Sequence, residues 1–148
     1  MRLSLQTDFA LRTLMFLAAN EGHHSIAAIS SGYGISRNHL MKVAQRLVAE
    51  GFVKSVLGRN GGLMLARPAA EINVGAVVRA IEYMGTFVEC FDPTTNHCAA
   101  TPVCGLRHVL AGGVEAFMAH LGGFTVAQLI GDPENFRTAF QSNPTGLA

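Results

Sequence analysis

The residues with the greatest chemical capacity in this sequence are its three cysteines. Cys90, Cys98 and Cys104 all lie in the run ECFDPTTNHCAATPVC, which begins at Glu89 and also holds Asp92 and His97. Thiolates are soft ligands, and a set of them on one loop is a metal-binding set first. Structural zinc sites pair their cysteines two to four residues apart. Here seven residues and then five intervene, which argues against zinc and leaves a Cys3His site with His97 or His108 as the rival. An odd number of cysteines leaves no closed disulfide framework. No C-x-x-C and no nucleophile with an evident base supports a thiol-based redox enzyme. We therefore read the loop as the seat of an iron–sulfur cluster. Such clusters normally take four protein thiolates, with histidine a known substitute. Three cysteines leave one position to Asp92, His97, His108, the distant Asp8, a small molecule, or nothing. Asp8 also stands four residues before Arg12, the favourable order for an ion pair worth about 0.3–0.5 kcal/mol.

The cysteine loop, Glu82 to Val103, has helical periodicity on both sides. Before it, INVGAVVRAI predicts a helix from Ile72 to Ile81. After it, a long helix from Leu106 to Leu121 carries Leu106, Val109, Leu110, Val114, Phe117, Met118 and Leu121 over a wide apolar face. Gly112-Gly113 in the middle of that helix cost about 1 kcal/mol each against alanine. They make sense where another backbone passes close by, so this helix is read as a dimer seam. A last short helix spans Thr125 to Ile130, and Pro133 onward, ending in Ser142-Asn143-Pro144-Thr145-Gly146, reads as a loose tail.

The front of the chain has a different character. Leu5, Phe9, Leu14, Phe16 and Leu17 predict a buried helix with one polar strip, Asp8, Arg12 and Asn20. Ser25 caps a short helix, Ile26 to Ser31; Gly32-Tyr33-Gly34-Ile35 turns the chain; Ser36 opens a longer helix that runs to Glu50. This is a helix-turn-helix pattern. The second helix should bury Leu40, Val43, Leu47 and Val48. It should expose Arg37, Asn38, Met41, Lys42, Gln45 and Arg46, a face without an acid that can meet guanine, adenine and phosphate. Phe52–Val56 and Leu63–Leu65 then read as two strands around the turn Arg59-Asn60-Gly61-Gly62. Asn60-Gly61 favours the positive φ of tight hairpins, and Arg59 at the tip can enter a minor groove.

Composition fits that division. Of 148 residues, 49% are hydrophobic and 14% charged, and no apolar run reaches membrane-spanning length. Asp8 and Arg12 interrupt the apolar N-terminus, so neither a signal peptide nor an anchor is expected, and a cytoplasmic, reducing location is. Residues 1–70 hold eight Lys/Arg against three Asp/Glu, whereas residues 71–148 hold three against seven. A basic front half on a chain of net charge +1 points to a polyanion partner at one end only.

The opening MRLSLQTDFALRTL, the helix ISRNHLMKVAQRLVAEGFV, the wing GRNGGLMLARP, its sequel INVGAVVRAIE, the ECF segment and GLRHVL together resemble the Rrf-type winged-helix regulators over residues 1 to about 130. Within that family the ISRNHLMKV and ECFDPTTNHC segments look most like the nitrite-sensitive repressors. The resemblance implies a mainly α fold with a small β wing: a winged helix-turn-helix domain over 1–83, a cluster-binding loop over 84–104, a dimerisation helix and short helix over 105–131, and the tail over 132–148. It implies a homodimer that binds double-stranded DNA at a palindromic operator, with contacts from Ser36, Arg37, Asn38, Lys42, Gln45, Arg59, Asn60 and Gly61. It implies an iron–sulfur cluster on Cys90, Cys98 and Cys104, [4Fe–4S] rather than [2Fe–2S], with Asp8 of the partner subunit as fourth ligand. Nitric oxide is then the expected effector. Relatives that answer to iron or cluster status share the ECF segment.

Overall fold

The structure is a computed structural model and describes residues 3–141. Helix α1 spans Leu5–Ala19 and opens on Ser4, whose hydroxyl accepts a hydrogen bond from the Thr7 N–H at 3.2 Å. A second tether comes from far along the chain. The Glu82 carboxylate accepts from the Ser4 N–H at 2.9 Å and the Thr7 hydroxyl at 2.6 Å. A negative group at a helix start answers both the unpaired N–H groups and the dipole. Ala10, Leu14 and Leu17 form the buried stripe of α1. Leu5, expected inside, is 60% exposed, because it lies on the face of α1 opposite to Thr7, Ala10, Leu14 and Leu17.

Helices α2 (Ile26–Tyr33) and α3 (Arg37–Ala49) form the helix-turn-helix. The Ser25 hydroxyl caps α2 through the Ala28 N–H at 3.1 Å. Helix α2 runs two residues past the expected Ser31. Gly32 stays helical because it faces α1: a Cβ there would stand 3.1 Å from Phe16 Cε2. The reversal falls on Gly34, whose φ of +65° suits glycine best. Helix α3 buries Leu40, Val43, Ala44 and Leu47. Val48 is not buried but 39% exposed; it lines an open groove with Met41, Gln45 and Ser55, between α3 and the wing.

Strands β1 (Val53–Val56) and β2 (Gly62–Leu65) pair antiparallel, Val53 opposite Leu65 and Val56 opposite Gly62. The loop between them therefore has five residues, Leu57 to Gly61. Its positive φ, +117°, belongs to Gly58, and no described non-glycine residue has one. The expectation for Asn60-Gly61 fails because a longer loop needs its left-handed residue elsewhere. A turn from the Gly58 carbonyl to the Gly61 N–H, 3.0 Å, closes the tip. The wing is also tied to the α1–α2 connection, since His24 and Leu63 exchange backbone hydrogen bonds of 2.9 and 2.8 Å. A Cβ on Gly62 would come within 2.4 Å of the His24 carbonyl oxygen. Gly62→Ala should therefore cost about 1–3 kcal/mol and lower Tm by several degrees in a thermal melt; an unchanged Tm would mean the bridge is dispensable.

Helix α4 covers Val74–Ile81, two residues later than expected, because Asn73 is its cap: its Oδ1 accepts from the Ala76 N–H at 2.9 Å. The Asn73 amide also donates to the Gly122 carbonyl at 2.7 Å, at the end of α5 (Gly105–Gly122). After α5 comes α6 (Val126–Ile130), opened by a reciprocal Thr125–Gln128 cap. Residues 133 to 141 are not a loose tail but helix α7 (Pro133–Gln141). Asp132 caps it through the Asn135 N–H at 2.8 Å, Phe140 packs edge-on against Phe16 and Tyr33, and Arg137 donates to the Ala19 carbonyl at 2.6 Å. The Ser142–Gly146 end of the expected tail lies outside the described residues. One core joins α1, α2, α3, the wing, α4 and α6; a second joins Val78 of α4 with Val114 and Met118 of α5.

Candidate metal centre and nucleic-acid interface

The second core anchors the cysteine loop. Met84, Phe87 and Phe91 pack against Val78, Val114 and Met118, and the Phe87 and Phe91 rings stack at 5.9 Å. Cys90 therefore sits, half-buried, in a short 3-10 turn, Glu89–Phe91, between two fixed aromatic side chains. The Arg107 guanidinium on α5 donates to its carbonyl at 3.2 Å. Cys98 is exposed; its N–H donates to Asn96 Oδ1 at 3.1 Å and its carbonyl accepts from the Thr101 hydroxyl at 2.8 Å. Cys104 is half-buried at the N-cap position of α5 and makes no side-chain capping bond. None of the three is in a disulfide.

Among the described residues no three His, Cys, Asp or Glu side chains stand close enough together to hold a metal ion. The fold brings the three cysteines to one loop with fixed ends without converging their sulfurs. As a donor set they fit a soft metal or an iron–sulfur cluster: three free thiols, no competing disulfide, and backbone rather than core on which to rearrange.

The candidates for a fourth ligand are disposed differently. The Asp92 carboxylate is held at a pKa of about 2, first by the Thr94 hydroxyl and N–H, at 2.6 and 2.9 Å, and then by the Tyr83 hydroxyl. It is thus committed to its own turn. The His97 N–H donates to Glu89 Oε1 at 2.6 Å while its side chain is exposed, and His108 is exposed on α5. Asp8 forms a two-point ion pair with Arg12, at 3.0 and 2.9 Å. The Arg12 guanidinium also lies over the Tyr33 ring, 5.8 Å from its centre. Burial pushes the Tyr33 hydroxyl up to about 12 against the pull of Arg12, and that hydroxyl has no hydrogen-bond partner among the described residues.

In the helix-turn-helix, Ser36 lies exposed at the N-cap of α3 and Arg37, Asn38, Lys42 and Gln45 lie exposed along it. The Ser36 hydroxyl makes no capping bond. Arg46 leaves this face: it donates to the Ala80 carbonyl at 2.6 Å and pairs with Glu50 at 3.0 Å. Arg59 and Asn60 are exposed at the wing tip, with Gly61 half-buried behind them. Gly61 has no room for a side chain, since a Cβ would fall 2.2 Å from the Val56 carbonyl oxygen. One contact had no sequence signal: His23 Nε2 lies 2.8 Å from the Asn60 carbonyl and pins the tip. Arg107 and Glu82, which fix the cysteine loop and α1, were likewise silent in the sequence, because both act through contacts distant along the chain.

The outer face of α5 carries exposed apolar and small residues. Leu106 is 63% and Val109 72% exposed. Beyond them lie Gly112, Gly113 and Ala116, where a Cβ on either glycine would meet nothing within 4 Å. Steps of three and four residues align Leu106, Val109, Gly113 and Ala116 on one stripe, the spacing of a helix–helix seam.

Comparison with known proteins identifies the family and the fold. Residues 3–132 match the family model described as Rrf2, iron-dependent transcriptional regulator. The chain is 43% identical over 137 residues to the HTH-type transcriptional regulator NsrR of Bacillus subtilis, covering 91% of this chain and 94% of that protein. It is 41% identical over 140 residues to the protein of the same name from Geobacillus kaustophilus, covering 93% and 95%. Among solved structures, T. potens IscR superposes with a TM-score of 0.70 at 23% identity, over 89% of this chain and 88% of that one. Oxidized Staphylococcus aureus CymR gives 0.67 at 24% identity, over 87% and 95%. These two support the fold.

Proposed function

Because the chain belongs to the Rrf2 family of transcriptional regulators, we propose that it is an NsrR-like repressor whose promoter affinity is set by an iron–sulfur cluster responsive to nitric oxide. The observation that carries this reading is the cysteine loop: three free thiols on a segment anchored by Phe87 and Phe91 at one end and by α5 at the other. Cys90, Cys98 and Cys104 would hold the cluster, [4Fe–4S] by resemblance, in the cytoplasm. When bound, it supplies iron that a small diatomic ligand can attack. Asp8 of the partner subunit would complete the ligand set, giving up its exposed ion pair with Arg12. The seam on α5 follows Cys104 directly, so the loop's arrangement bears on the spacing of the two subunits. Dimers read half-sites about 34–36 Å apart, and altered spacing weakens binding to a palindrome.

In the DNA complex Arg37, Asn38, Lys42 and Gln45 face the major groove, Ser36 a phosphate, and Arg59 with Asn60 the minor groove over Gly61. Arg59→Ala should weaken promoter binding about tenfold or more and make its salt dependence shallower by about one charge, with the cluster's visible absorbance intact. Bleaching in that variant would instead mean that Arg59 serves the cluster. A second reading, response to iron or cluster status, is favoured by the family's description as iron-dependent; it predicts a cluster that iron chelation strips and nitric oxide spares.

A further inference from the structure

The wing tip holds a residue that neither the turn nor the core requires. Leu57 is 92% exposed, the most exposed large apolar side chain among the described residues. A single exposed leucine is ordinary on a protein surface, but this one stands in a loop whose other members are Gly58, Arg59, Asn60 and Gly61. Turn chemistry accounts for the glycines and the asparagine, and none of it calls for leucine. The surroundings suit a polyanion: from Gly51 to Ala70 there are three Lys/Arg, Lys54, Arg59 and Arg67, and no Asp or Glu.

The tip is also built rather than loose. Gly58 at φ +117° sets the bend, the 3.0 Å turn from Gly58 to Gly61 closes it, and His23 holds the Asn60 carbonyl at 2.8 Å. Leu57 and Arg59 are thus presented on either side of one fixed glycine. Proteins that enter the minor groove commonly pair an arginine, drawn by the groove's negative potential, with an apolar side chain that wedges a base step open. We propose that Leu57 is such a wedge: it inserts into the minor groove beside Arg59 and kinks the operator. The proposal rests on the wing contact put forward above. Its specificity comes from deformability, so the favoured operator carries an easily unstacked pyrimidine–purine step under the wing.

The test uses the full-length protein and a duplex that it selects from a random library. Affinity is read by anisotropy across a salt series, and bending by energy transfer between end labels. Leu57→Ser is expected to bind about tenfold more weakly, with an unchanged salt slope and a straighter duplex. Leu57→Met, which keeps an apolar wedge, is expected to retain both affinity and bend. Both variants should keep the wild-type circular dichroism, because the side chain is almost wholly in solvent. Binding of Leu57→Ser within twofold of wild type, an unchanged bend, or a shallower salt slope would overturn the proposal. Arg59→Ala in parallel locates such a failure: if it still weakens binding, Leu57 alone was misread, and if it too is neutral, the wing contact falls with it.

Discussion

Cys98→Ala should be colourless, lack acid-labile sulfide, and still fold and dimerise. Cys98 is exposed and contributes nothing to either core, so its loss leaves packing intact. The loop around it is held by backbone and by Asn96 and Thr101, none of which uses the sulfur. Removing one of three thiols leaves two, too few to retain an iron–sulfur cluster against solvent. The check is iron and sulfide per chain together with elution volume and circular dichroism. A monomeric or insoluble product would show that the metal is structural, with a folding role like that of zinc in small metal-dependent domains.

With α5 as the proposed dimer seam, Val109→Asp should give a folded monomer. Val109 is 72% exposed within one chain, so a carboxylate there is solvated in the monomer and costs its fold little. In a seam along Leu106, Val109, Gly113 and Ala116 the same carboxylate faces its symmetry mate in an apolar contact. Burying a carboxylate without a partner costs several kcal/mol, here at two symmetric positions. Sedimentation should report the monomer mass with an unchanged far-ultraviolet spectrum, and binding to a palindromic operator should fall by more than about a hundredfold. A dimer that survives the substitution would place the seam on another face.

Much of this architecture was legible in the sequence because it follows from local rules. Ser25, Gly34 and the spacing of Leu40, Val43 and Leu47 specify the helix-turn-helix from within a dozen residues of themselves. The strands of the wing followed from short apolar runs around a glycine-rich turn. What could not be read depends on contacts distant along the chain. The repetition of apolar residues shows a stripe but not what covers it, so Leu5 and Val48 looked as buried as Leu14 and Leu47. Gly58 carries the wing's positive φ because the loop is five residues long, and loop length is set by the register Val56 opposite Gly62. Helix α7 had signals of its own, Asp132 before Pro133 and Phe136 four residues before Phe140, but its stability comes from Phe16, Tyr33 and Ala19, more than a hundred residues earlier. The cysteines were the most legible part of the candidate site, since residue type alone identifies a thiol ligand. The positioning of Cys90 by Phe87, Phe91 and Arg107 was the least legible.

The most direct test of the central claim is made on protein purified without oxygen. The visible spectrum, iron and sulfide per chain, and promoter affinity are measured before and after stoichiometric nitric oxide. A brown protein with acid-labile sulfide is expected, its absorbance bleaching and its promoter affinity falling in step. A colourless protein with tightly held zinc and no sulfide, or a brown one whose DNA binding ignores nitric oxide, would contradict that claim.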